Sequence, residues 1–153
     1  MRSSISDHLG NTAAVAASSA PLKVTTQDPG ALRILEFLKT ATGFAQAASA
    51  LTVALDPSRQ EQTTVLAALA DLVEQLQKLR AQIERVTCKT PNGRTGQRLA
   101  AYSLLRGEEA LDYAQAGLMT AVPGKLKADL TQAMRLAQAG ETAGEQAVKW
   151  LSK

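Results

Sequence analysis

Aromatic side chains are scarce in this chain: two Phe, two Tyr and one Trp make up 3% of its 153 residues. A hydrophobic core must then be assembled from Ala, Leu and Val. Ala-rich cores draw helix axes together and leave little room for a buried ligand. Histidine is scarcer still. His8 is the single one and lies near the N-terminus. That removes a Ser-His-Asp or Cys-His centre from the rest of the chain. It also removes the paired Glu-x-x-His motifs by which ferritin-like bundles hold metal. The activity expected is non-enzymatic, with no cofactor and no metal.

Cysteine is represented by Cys88 alone, which excludes an intrachain disulfide. It leaves an ordinary thiol or a disulfide to a second chain. No uncharged run reaches the roughly 20 residues that a membrane span needs. The longest, Thr40 to Leu55, has 16 and is full of Ala, Ser, Thr and Gln. A transmembrane segment is not expected. The N-terminus lacks the long apolar core of a cleavable signal peptide. A cytoplasmic location by default, or export without cleavage, is the corresponding expectation.

What the chain has is heptads. Between Gln62 and Val86, apolar residues fall at Val65, Leu69, Leu72, Leu76, Leu79, Ile83 and Val86. Steps alternating between four and three place these residues on one stripe of a helix and nowhere else. Comparable seams run through Ile34, Phe37, Ala41, Phe44, Ala48, Leu51 and Leu55, and through Ala100, Leu104, Gly107, Leu111, Ala114 and Leu118. A fourth runs through Leu126, Leu130, Ala133, Ala137, Gly140, Gly144, Ala147 and Leu151. The fold predicted is all-α: an antiparallel, up-down four-helix bundle over residues 28–153, preceded by a flexible N-terminal arm over 1–27. The helices are expected at about 29–55, 57–87, 97–122 and 125–151.

The boundaries come from local chemistry. Asp28-Pro29 and Asp56-Pro57 each set an acidic cap before a proline in the first turn. Cys88 to Gly96 reads as a loop, because Pro91-Asn92-Gly93 has turn composition. Thr95 then caps the third helix. Val122-Pro123-Gly124 ends it. Residues 1–27 are rich in Ser, Ala and Thr and show no sustained period.

Up-down topology gathers the start of the first helix, the 87–96 loop and the end of the fourth at one pole. Residues 87–98 carry Lys89, Arg94 and Arg98 and no acid, against a net charge of +3 for the whole chain. A helix N-terminus among such cations is suited to an anion or a nucleic-acid phosphate. No aromatic is interleaved there to stack on bases. Glu108, Asp112 and the other acids of the third helix read as solvated surface.

The function expected is that of a helical-bundle interaction or self-assembly subunit, whose partner is another protein or a second copy. The first helix is apolar over more than half its circumference, beyond what one seam needs. Phe37, Phe44 and Leu51 are its anchors, in a core or an interface. Gly140 and Gly144 offer a shallow groove to another helix, and Trp150 a lid on the end of the core. The alternatives are a nucleic-acid or anion-binding protein acting through Lys89, Arg94 and Arg98, or a helical protein exported through an uncleaved N-terminal leader.

Overall fold

A computed structural model describes residues 24–53, 59–119, 122 and 124–153, without the side chains of 45–53, 59–62 and 126. Four helices account for most of them: α1 (Pro29–Val53), α2 (Arg59–Arg85), α3 (Pro91–Met119) and α4 (Lys125–Ser152). The chain is an all-α four-helix bundle. Of the N-terminal arm expected over 1–27, residues 1–23 lie outside the described residues, as does the Asp56-Pro57 turn.

Contacts give the directions of the helices. Ser103 of α3 meets Gly140 of α4, and Gly96 meets Leu151, so α3 and α4 run antiparallel. Arg80 of α2 meets Glu108 of α3, and Ile83 meets Gln97, so that pair is antiparallel as well. The α3–α4 pair is the most intimate, and α1 packs against all three other helices.

The heptad seam of α2 is the inward stripe. Val65, Leu69, Leu72, Leu76, Leu79 and Ile83 are all buried, and Val86 is packed against them. They belong to one buried cluster with Ile34 and Leu38 of α1, Ala100, Leu104, Leu111 and Ala114 of α3, and Leu130, Ala133, Ala137, Ala147 and Leu151 of α4. Burial of this aliphatic surface is the main favourable term in folding, at roughly 25 cal/mol per Å² removed from water.

One boundary differs from the sequence reading by about two helical turns. α3 begins at Pro91, not near Gln97. The Thr90 hydroxyl accepts the Gly93 N–H at 3.0 Å, as an N-cap does, and the Arg94 N–H bonds to the Thr90 carbonyl. Pro91 has no N–H to lose at the first helical position. Gly93 and Gly96, turn residues by composition, lie buried inside the helix. They are small because something else occupies the space. A Cβ at Gly93 would run into the Asp28 carboxylate, and one at Gly96 would lie 2.5 Å from Cγ of Leu151. At the other end of α3, Gly124 takes φ 82°, a left-handed conformation that glycine adopts without strain, and α4 starts from it.

Candidate interaction surface

The pole that gathers the basic residues exists as a place. The 24–28 segment, the 86–90 connection and the last turn of α4 meet there. It is closed from within. Oδ1 of Asp28 accepts the Gly30 N–H at 3.0 Å and so caps α1. Oδ2 accepts the N–H groups of Lys89 at 3.0 Å and Thr90 at 2.9 Å, and the Thr90 hydroxyl at 2.8 Å. Asp28 is 2% exposed, and burial alone would push its pKa up. The bonds from Thr90, Lys89 and Gly30 outweigh burial and bring it down to about 2.

Other helix ends at this pole are sealed in the same manner. Nε2 of Gln97, reaching from α3, donates to the carbonyls of Ile83 at 2.8 Å and Val86 at 2.6 Å, which terminate α2. The Ser152 carbonyl at the end of α4 accepts the N–H groups of Thr25 and Thr26 and the Thr25 hydroxyl. The helix N-terminus expected to take an external anion therefore begins at Thr90 and holds the chain's own Asp28 carboxylate. Lys89, Arg94 and Arg98 are exposed around it. Nη1 of Arg94 turns back onto the carbonyls of Cys88 and Lys89.

Glu108 departs from its expected role as a solvated acid. Its side chain is 4% exposed and takes a two-point bond from Arg80, Nε to Oε2 at 2.7 Å and Nη2 to Oε1 at 3.3 Å. Glu84 adds a third contact to Arg80. The bond from Glu108 and its charge raise the guanidinium pKa further above its ordinary value, against the opposing effect of burial.

Gly140 and Gly144 face the chain's own α3. The Ser103 hydroxyl donates to the Gly140 carbonyl at 2.7 Å, and a Cβ at Gly140 would sit 3.1 Å from the Ser103 carbonyl. A Cβ at Gly144 would sit 3.2 Å from the Ser103 hydroxyl. The groove read as open to another helix is filled by Ser103.

The aromatic residues remain. Phe37 and Phe44 are partly buried on one flank of α1, with the Arg33 guanidinium 5.6 Å from the Phe37 ring. The side chain of Leu51 lies outside the described residues. Leu32, on the outer side of α1, is 43% exposed. Trp150 is partly buried under the Lys153 ammonium, which sits 4.1 Å from its ring. Tyr102 and Tyr113 on α3 are 42% and 41% exposed. Not one aromatic side chain is fully buried, and the core is aliphatic throughout. Sequence reading singled out neither tyrosine. Their eleven-residue separation, a near-integral number of helical turns, was the available signal.

Among the described residues, no group of His, Cys, Asp and Glu is arranged to hold a metal ion. No described helix is long and apolar enough to cross a membrane. No family model, characterised protein or solved structure matches this chain.

Proposed function

We propose that this chain is a non-enzymatic helical-bundle subunit that works by associating with protein, another chain or its own copy, through surface aromatic residues. The observation that carries the reading is the partition of side chains by size. Tyr102 and Tyr113 stand on the surface and Phe37, Phe44 and Trp150 are only partly buried, while Ala, Leu, Ile and Val fill the core. A bundle gains most by burying its largest apolar groups. Tyr, Trp, Phe and Arg are the residues enriched where proteins meet. Phe37 beside Arg33, and Tyr102 beside Arg106, have that composition.

The test is a photo-crosslinking aromatic amino acid placed in turn at Phe37 and Tyr102 of the whole chain in its native cell. A discrete covalent adduct with protein is expected from at least one position. A folded chain that yields no protein adduct from either overturns the reading.

A further inference from the structure

Tyr102 and Tyr113, both exposed on α3, form a second seam with their neighbours. Leu99, Tyr102, Arg106, Glu109, Tyr113 and Ala116 follow one another in steps of three, four, three, four and three. That is a heptad stripe on the side of α3 away from Leu104 and Leu111, although Leu99 also packs against the core and a Cβ at Gly140 of α4 would lie 3.4 Å from the Arg106 Cβ. Tyr102, Tyr113 and Ala116 are exposed, while Leu99, Arg106 and Glu109 are partly so. The charged pair keeps 28% and 34% of its side-chain surface in water. Arg106 lies 4.7 Å from the Tyr102 ring and pairs with Glu109.

The four central positions of this stripe read the same way from both ends, with charges exchanged. Turned end over end about a point between Arg106 and Glu109, Leu99 falls opposite Ala116, Tyr102 opposite Tyr113, and Arg106 opposite Glu109. A two-fold axis sets residue i against j wherever j meets i, and here the positions so paired match Tyr with Tyr and Arg with Glu. We infer that α3 pairs with α3 of a second copy, antiparallel, along Leu99–Ala116. This rests on the association reading above and names the partner.

Each layer of such a pair is matched. The large Leu99 faces the small Ala116. Tyr102 faces Tyr113, and rings at that range favour offset or edge-to-face contact. Arg106 of each chain comes between its own Glu109 and the partner's, giving a closed square of alternating charge at the centre. Residues 102 and 113 are about 16 Å apart at 1.5 Å per residue, so the matched layers extend over some three turns. The parallel alternative is repulsive. It would set Arg106 against Arg106 and Glu109 against Glu109 at the same level, and like charges at contact destabilise.

Charge reversal in the whole chain tests the arrangement, with mass measured by light scattering over a range of concentrations. The wild type is expected to reach a mass twice that of the 16.1 kDa chain. Arg106→Glu alone, or Glu109→Arg alone, should hold the chain at the monomer mass, because each places like charges across the axis. An equimolar mixture of the two single variants should regain the doubled mass, as should the double exchange Arg106→Glu with Glu109→Arg. Recovery by exchange excludes misfolding as the cause of the single-variant loss, and circular dichroism should show unchanged helix. A wild type that stays monomeric overturns the inference and leaves association with other proteins to the crosslinking result. A doubled mass that survives in both single variants also overturns it, and then self-association runs through another face, such as that of Phe37 and Phe44.

Discussion

Asp28 accepts the backbone N–H of Thr90, 62 positions further along the chain, at 2.9 Å, and the same carboxylate caps its own helix through Gly30. One anion therefore organises the first turns of two helices that are far apart in the chain. Helix N-termini favour negative charge, and bonds to a carboxylate are stronger than neutral ones. Asp28→Ala leaves the N–H groups of Lys89, Thr90 and Gly30 without their acceptor and is expected to cost about 2–4 kcal/mol. Because the folded pKa is lowered from 3.8 to about 2, the stabilisation is complete above the ordinary value and is lost as pH falls through the folded one. Urea unfolding at a series of acidic pH values checks both statements. Asp28→Asn should remove this part of the pH dependence while keeping some of the bonds.

Arg80 and Glu108 make the second long-range polar joint, between α2 and α3. Removing one partner exposes the other. Arg80→Ala strands a carboxylate whose side chain is 4% exposed, and the cost expected is about 2–4 kcal/mol, reduced because Arg80 itself keeps some contact with water. Arg80→Met with Glu108→Leu should cost less than either single truncation, because no buried charge is then left alone. A double-mutant cycle in urea midpoints measures the coupling.

The helices were legible because their seams repeat: Leu69, Leu72, Leu76, Leu79 and Ile83 could share a stripe in no other structure, and all are buried. The start of α3 was not legible, because Pro91-Asn92-Gly93 has the composition of a turn. What makes it helical is Asp28, a residue far off in the chain whose carboxylate fills the space of the missing Gly93 side chain. Glu108 was misplaced for a similar reason. It stands four residues after Leu104 and three before Leu111, within the apolar stripe, and only the approach of Arg80 makes burial there tolerable. The small residues of α4 signalled a close crossing, but a seam does not say which helix does the crossing. Ser103 supplies that answer.

Two glycines of α1 should respond to the same substitution with opposite signs. Gly43 is exposed and helical, and no described atom lies within 4 Å of where a Cβ would stand. Gly43→Ala is expected to stabilise by about 0.5–1 kcal/mol, through the lower entropy of the unfolded chain. Gly30 is buried against the 86–90 connection, and a Cβ there would strike the Thr87 carbonyl. Backbone yields less readily than side chain, so Gly30→Ala is expected to cost about 1–3 kcal/mol despite alanine's better helix propensity. Thermal midpoints of the two variants moving in the same direction would contradict the close contact between α1 and the 86–90 connection.

Cys88 decides how the chain behaves in oxidising conditions. Its side chain is buried at 6% exposure, beneath the joint that Asp28 makes with Lys89 and Thr90. Burial raises its pKa, the Asp28 charge raises it further, and Arg94 opposes them. The thiolate is the reactive form, so a thiol that is both enclosed and reluctant to ionise should react slowly. Labelling with an aromatic disulfide reagent is expected to proceed only as fast as the pole opens, and fully in denaturant. Asp28→Ala should accelerate it, since that substitution loosens the cover over the sulfur more than it helps the thiol ionise. A disulfide to a second chain would require the same opening, so non-reducing gels of the native protein should show a single band. Rapid labelling at native pH, unchanged in Asp28→Ala, would mean that the sulfur is open to solvent and that the pole is not sealed as described.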